Sequence, residues 1–406
     1  MRAVEGTNRW QTKSLRDLAT INYGRSPAAI LAEDGLYPVV GTGGDERRGN
    51  DYLHEGESII LGRKGTIDRV YFATGRFWTI DTAYFLTDLT ESVPKWLYYF
   101  LQTIDFRQMN EATGVPSLSR DLLYKIEIPT PPTPEQSKIA EILSTVDRAI
   151  EQTEALIAKQ QSIKTGLMQD ILTRGIDEHG NLRSERTHQF KDSPLGRIPV
   201  EWEVSELEAV AEFVTSGSRG WAQYYSADGA MFLRIGNLTR DHINLRLNDI
   251  VLVDPTKTSE GKRTSVSTGD LLISITADLG IIGVIPERFG EGYVNQHIAL
   301  VRLLPAKVDA RFIGWFLSGC GGQVQFEKLN ESGAKAGLNL PTIRKLLVSI
   351  VKLAEQARIA NVLDTNTNWV DDLYLRLGKL RSLKTALMQD LLTGKRRVTP
   401  MLRDAP

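Results

Sequence analysis

Glu135-Gln136-Ser137-Lys138-Ile139-Ala140 opens a long segment that closes in Lys164-Thr165-Gly166-Leu167-Met168-Gln169-Asp170-Ile171-Leu172-Thr173. Glu355-Gln356-Ala357-Arg358-Ile359-Ala360 opens a second, which closes in Lys384-Thr385-Ala386-Leu387-Met388-Gln389-Asp390-Leu391-Leu392-Thr393. The two align at a constant offset of 220 without a gap, and about sixteen of forty positions are identical. Self-similarity of this kind governs the fold before any local pattern does. The period is far too long for a solenoid, so it marks a duplicated two-part unit.

Both copies read as helices. In the second, Leu363, Asn366, Val370, Leu373, Leu377, Leu380, Lys384, Leu387 and Leu391 recur at alternating three- and four-residue steps. The first places Leu143, Val146, Ile150, Thr153, Ile157, Gln160, Lys164, Leu167 and Ile171 at the same points. That is an a/d seam held over about four heptads. Thr153, Gln160 and Asn366 are polar members of it, which cost stability and can fix register. Thr133-Pro134 supplies a start with Thr133 as N-cap, and Arg174-Gly175 and Gly394-Lys395 supply stops. Each helix is then roughly 58 Å long at about 1.5 Å per residue. Equal lengths and matching seams predict that the two pack antiparallel.

Residues 1–133 and about 191–353 differ in character, with glycines, aromatics and short β-branched runs. Ser58-Ile59-Ile60-Leu61-Gly62, Arg69-Val70-Tyr71-Phe72 and Leu271-Leu272-Ile273-Ser274-Ile275 are strand candidates bounded by turns. Leu271 to Pro286, broken by Asp278, reads as two buried strands rather than a membrane span. Pro94–Leu101 and Ala310–Leu317 are helices at comparable places, and Trp10 and Trp202 open the two regions with Leu15 and Leu207 five residues on. The expected fold is α/β (α+β): two globular domains separated by two long antiparallel helices in a coiled-coil-like spacer, with pseudo-two-fold symmetry. The expected boundaries are 1–133, 134–175, 176–353 (with a polar linker at Asp177–Asp192), 354–397 and a tail at 398–406.

Composition bounds the function. The chain has 406 residues, one cysteine (Cys320) and a net charge of −1. A lone cysteine excludes a disulfide framework and a Cys-based zinc site, and fits a reducing cytosol. The N-terminus lacks the apolar core of a signal peptide, so a cytoplasmic location without membrane contact is expected. Residues 1–133 carry 15 basic and 17 acidic side chains, and 191–353 carry 18 of each; only 354–406 leans basic, 9 against 6. A free-standing DNA binder usually has a basic excess, and this chain has none.

Catalytic motifs are missing too. Gly62-Arg63-Lys64-Gly65-Thr66 has neither the spacing nor the order of a P-loop. The only Pro-Pro, Pro131-Pro132, lacks the flanks of a methyltransferase tetrapeptide and serves as a stiff approach to a helix. The five histidines lie too far apart for metal-ligand spacing. No catalytic residue, cofactor site or metal site is assigned to this chain.

The repeated Glu-Gln-x-x-Ile-Ala openings and Leu-Met-Gln-Asp-Ile/Leu-Leu-Thr closings carry a family resemblance. With Leu61-Gly62-Arg63-Lys64-Gly65, Arg234-Ile235-Gly236-Asn237-Leu238 and Val294-Asn295-Gln296-His297, the whole chain resembles the specificity subunit of type I restriction–modification systems. The resemblance implies a non-catalytic protein whose two target-recognition domains read a bipartite, asymmetric site on double-stranded DNA. Its helices would space the domains and dock two methyltransferase subunits. Restriction/translocase subunits would join through the complex. S-adenosylmethionine would bind the methyltransferase, and ATP and Mg the motor subunit, not this chain. A scaffold for methyltransferase subunits with inactive recognition domains is the alternative reading.

Residue chemistry then nominates contacts, since Arg or Lys suits guanine and Asn or Gln suits adenine. Arg47 and Arg48 lie in a Gly-rich stretch, Gly41–Asn50, that could approach bases or phosphates; a plain turn neutralised by Asp45 and Glu46 is the alternative. Arg63 and Lys64 follow a strand, as phosphate contacts or a hairpin charge pair. Ser216-Gly217-Ser218-Arg219-Gly220-Trp221 reads as a DNA-facing loop through Ser218, Arg219 and Trp221, unless Trp221 packs over the domain rim. Arg234 and Asn237 either contact DNA or brace their own turn. Lys262, Arg263 and Lys335 are in phosphate range or merely solvated, and Asn295-Gln296 reads as structural. Off the helical seam, Trp369, Tyr374 and Leu375 suit partner docking, with a third helix folded back in cis as the alternative.

Overall fold

The computed structural model describes residues 10–89, 91–254, 259–331 and 338–403. It divides into two units: Met1–Ala155 with Leu375–Pro406, and Leu156–Tyr374. Each unit takes one half of each long helix. Those helices span Thr133–Arg174 and Leu353–Leu391. The first starts slightly earlier than the expected cap, Thr133 being already helical: the Glu135 and Gln136 amides donate to the Pro132 carbonyl, as those of Glu355 and Gln356 donate to Lys352 in the second. Gly175 (φ 68°) and Gly394 (φ 73°) stand at the stops in the left-handed conformation that favours glycine.

The first unit carries a four-stranded antiparallel sheet in the order Thr20–Tyr23, Ala83–Thr87, Ser58–Gly62, Val70–Ala73. The second repeats that order with Ala211–Ser216, Ile298–Leu303, Leu271–Ser274 and Ile282–Val284. A second, mixed sheet in each holds one parallel pair: Tyr37–Gly41 beside Arg76–Thr79, and Ala230–Leu233 beside Gly292–Val294. A short antiparallel pair closes each domain, Gln11–Ser14 with Glu127–Thr130 and Glu203–Glu206 with Leu347–Ile350. The helices Pro94–Leu101 and Ala310–Ser318 form as expected and bury Trp96, Tyr99, Phe312 and Trp315. So the duplication extends through the globular parts, where sequence identity has faded.

Burial follows the seam. Leu143, Thr153, Ile157, Gln160, Ile171, Leu363, Asn366, Val370, Leu373, Leu377 and Leu391 are all buried. In the first unit Ile139 and Leu143 from one helix share a core with Leu391 and Leu392 from the other. In the second, Ile171 and Leu172 share one with Ile359 and Leu363. Start meets end in both, which is antiparallel packing. The polar seam residues are bonded: Asn366 Nδ2 donates to Gln160 Oε1 at 3.3 Å, and Thr153 Oγ1 donates back to the Ala149 carbonyl. A polar pair that bonds only in one alignment favours that register.

Candidate nucleic-acid interface and docking surface

Three residues of the repeated helix fasten it to the globular domains. The first is the opening glutamate. Glu135 is 2% exposed and accepts two bonds from Arg397, from Nε and Nη2 at 2.7 Å each, and one from Trp10 Nε1 at 3.1 Å. Glu355 is paired by both terminal nitrogens of Arg183 (Nη2 to Oε2, 2.9 Å) and accepts the Ile176 amide at 3.2 Å. Each arginine follows the end of the opposite helix copy, so each latch ties the start of one helix to the end of the other.

The second is the glutamine. Gln136 Oε1 accepts the Val93 amide at 2.7 Å while its Nε2 donates to Pro131. Gln356 Oε1 accepts the Asp309 amide at 2.7 Å and its Nε2 donates to Val351. Val93 and Asp309 are the N-caps of the helices Pro94–Leu101 and Ala310–Ser318, so each glutamine fixes the start of a domain helix. The third is the closing lysine. Lys384 Nζ bonds Asp147 at 2.8 Å and lies 5.6 Å from the Tyr99 ring centre. Lys164 Nζ lies 4.8 Å from the Trp315 ring and donates to the Asp241 carbonyl. Burial pushes its ammonium pKa below the ordinary lysine range.

Glu135 makes a pH prediction. Burial alone would raise its pKa, but the bonds from Arg397 and Trp10 outweigh it and hold the carboxyl below its usual value. A carboxyl depressed in the folded state adds stability above its unfolded pKa of about 4.3 and loses it as pH falls through the folded value. The stability gap between the native chain and an Arg397→Ala variant should therefore be widest above about pH 4.5. Denaturation series from pH 7 down to 3 check this; a gap that widens toward acid would contradict it.

One end of each four-stranded sheet gathers several turns. In the first unit the Arg25 amide donates to Thr79, the Arg63 and Lys64 amides to Thr82, and the Leu118 amide to Arg63. The second unit matches this with the Ile275 amide on His297 and the Leu338 amide on Ile275. Gly65 (φ 83°) and Ala277 (φ 59°) occupy the same left-handed place two residues after that shared carbonyl. Gly24 and Gly217 pass close against the neighbouring strand backbone in the two units. The scaffolds agree and the side chains they carry do not.

Within these surroundings the nominated residues separate. Arg47 and Arg48 are exposed, though on the paired strand Gly44–Gly49 rather than in a loose loop. Lys64 is exposed, and Arg63 Nη1 is anchored on the Asp81 carbonyl at 2.9 Å. Arg219 is exposed. Trp221 packs inward, the alternative the sequence offered: it is 5% exposed, stacks on Phe232 at 5.1 Å and lies tilted against Tyr293 at 5.2 Å. Asn237 is a buried brace, bonding the Arg234 amide and the Arg246 and Asp249 carbonyls. Arg234 pairs with Asp249 at 3.1 Å. Arg263 bonds the Ser216 carbonyl at 2.7 Å and Ser218 Oγ at 3.1 Å, so both it and Ser218 hold the turn together. The Lys262 side chain and Lys335 lie outside the described residues.

Trp369, Tyr374 and Leu375 are 48%, 49% and 65% exposed, and Tyr374 OH accepts a bond from Gln161. At the repeat-related places of the first helix stand Ala149, Glu154 and Ala155, so this apolar surface is not duplicated. Ile163 and Leu383, exposed at 39% and 48%, are related by the repeat. Sequence reading passed over that pair, although applying the 220 offset to off-seam positions exposes it. It also passed over Tyr23 and Arg120, which meet at the sheet end of the first unit.

Residues 7–160 and 199–374 match the family described as "Type I restriction modification DNA specificity domain". The type I restriction enzyme MjaVIII specificity subunit of Methanocaldococcus jannaschii is 23% identical over 441 aligned residues, covering 96% of this chain and 93% of that protein. The type I restriction enzyme EcoBI specificity subunit of Escherichia coli is 23% identical, covering 68% of this chain and 59% of its own. In fold, a type I restriction–modification S subunit from M. genitalium superposes with a TM-score of 0.66 at 16% identity, covering 96% and 98% of the two chains.

Proposed function

The chain belongs to the type I restriction–modification DNA specificity family, and on that footing we propose that it reads a split, asymmetric site on duplex DNA and docks methyltransferase subunits. DNA sequence recognition is the role of this family. What supports the split-site reading is one observation: two units of the same topology carry different side chains at the same sheet end. Shared backbone suits shared approach to DNA, and different side chains suit different bases. The chain would act without catalysis of its own.

Docking rests on the helices. Ile163 and Leu383 offer one partner type two related footholds, while Trp369, Tyr374 and Leu375 offer an additional apolar surface. A near-neutral reader makes sense in such an assembly, because partner subunits closing on the duplex would supply much of the phosphate affinity.

The test is a footprint of the chain with its methyltransferase subunit on duplex DNA. Two protected stretches around an unread centre are expected; no protection on any sequence would leave only the scaffold reading. The seam adds a second expectation. One extra heptad in each long helix, placed in register, adds about 10.5 Å, or about three base pairs at about 3.4 Å each. The unread centre should lengthen by that amount with both half-sites unchanged, as methylation mapping would show.

A further inference from the structure

The sheet end of the first unit holds a cluster whose charge is uncompensated. Tyr23 closes the edge strand Thr20–Tyr23 with its ring 45% exposed. The Arg63 guanidinium lies 5.1 Å from the ring centre and that of Arg120 lies 5.0 Å from it. Tyr84 meets the same ring edge-on at 5.1 Å and is itself fixed by a bond from its hydroxyl to the Leu118 carbonyl. Arg63 is further tied by Nη1 to the Asp81 carbonyl. Among the described residues no carboxylate pairs with Arg25, Arg63 or Arg120, and Arg120 Nε is buried without a partner.

Other arginines of this unit show the contrast. Arg76 pairs with Glu55 at 3.0 Å, Arg107 with Asp68, and Arg397 with Glu135. Two guanidinium groups on one ring repel each other, and a ring face offsets only part of that cost. Such an arrangement leaves donors open to an acceptor arriving from outside. It is also ordered in advance: contact with the Tyr23 ring holds both groups and the Asp81 bond further holds Arg63, so less side-chain freedom is lost on contact. A held fork matches the O6 and N7 acceptors of guanine in the major groove. A freely swinging arginine would suit phosphate equally well.

We propose that Arg63 and Arg120, held on Tyr23, are the guanine-reading residues of the first recognition domain. This rests on the DNA-reading role proposed above and names the residues and base class within it. The second domain has no counterpart. By the equivalence of Gly24 with Gly217, of Arg63 with Ile275 and of the capping residues Ser119 and Asn339, the three places hold Ser216, Ile275 and Leu340. The inference therefore concerns one half-site only.

The experiment uses the complex of the full chain with its methyltransferase subunit. Methylation mapping of cells expressing the complex should give a split motif with guanine in at least one half. Arg63→Ala and Arg120→Ala should broaden a guanine position in that half alone, with discrimination falling about 10- to 100-fold. Should either variant fold poorly, the native complex settles the point: 7-deazaguanine placed in that half-site should weaken binding by a similar factor. Three results would overturn the proposal: a native motif without guanine in the half affected, no response to 7-deazaguanine, or variants that weaken all sites uniformly while the salt slope falls by about one, the mark of a phosphate contact. A native complex that methylates and binds no defined sequence would instead defeat the recognition role itself.

Discussion

Arg183→Ala is expected to destabilise the second unit by about 3–5 kcal/mol, the usual cost of leaving a buried charge without its partner. Glu355 is 5% exposed and draws its bonds from Arg183 and the Ile176 amide. Alanine removes both guanidinium bonds and leaves the carboxylate with one amide. Gly175 sits in the same knot, and a Cβ there would lie 2.3 Å from Glu355 Oε1 and 2.5 Å from both Arg183 Nη1 and Trp202 Cζ2. Replacing both partners by apolar residues of similar shape, Arg183→Met with Glu355→Leu, should recover much of the loss, because the double variant buries no lone charge. Denaturant melts followed by far-ultraviolet circular dichroism measure all three. A loss below about 1 kcal/mol for Arg183→Ala would place the pair among surface ion pairs and show that it does not latch the helices.

That latch also marks where the sequence stopped being legible. The helices, their seam, their glycine stops and the strands Ser58–Gly62 and Leu271–Ser274 were readable, since each depends on neighbours within a few residues. The repeat announced that Glu135 and Gln136 mattered but not how. Their partners Arg397 and Val93 lie 262 and 43 positions away, and periodicity carries no such information. Trp221 misled for a related reason. Its Gly-Ser-Arg-Gly approach suggests exposure, yet Gly220 at φ 92° turns the chain into a short 3-10 helix that delivers the ring onto Phe232. Arg263 looked like a free cation and proved to be a turn brace. Tyr23 drew no notice because the two arginines on it are 40 and 97 positions along the chain. A balanced net charge concealed the rest: several arginines of the domains pair with a carboxylate where they stand, and the uncompensated ones become visible only once pairs are assigned.

Gly24→Ala should abolish reading by the first domain, and Gly217→Ala should do the same for the second. A Cβ on Gly24 would stand 1.9 Å from the Ile80 carbonyl oxygen and 2.7 Å from that of Thr79. On Gly217 it would stand 2.1 Å from the Val294 oxygen and 2.4 Å from that of Asn295. All four atoms are backbone, so no rotamer change makes room and the turn itself must shift. The cost should exceed the about 1–3 kcal/mol of ordinary overpacking. The shift would fall on the segments that carry Arg25 and Arg219, because the Arg25 amide and the Gly24 amide are bonded to Thr79 and Ala83 across the same gap. Affinity for the full site should drop at least about tenfold in each case, roughly 1.4 kcal/mol of lost contact, with the unaffected half-site still read. Gly166 offers the contrast: it is exposed in a helix interior with nothing within 4 Å of an added Cβ, and Gly166→Ala should raise stability by up to about 1 kcal/mol. Thermal melts and duplex titrations on the three variants separate the outcomes. Normal binding by Gly24→Ala would mean that the sheet end tolerates displacement, and a surface that tolerates displacement cannot be where bases are discriminated.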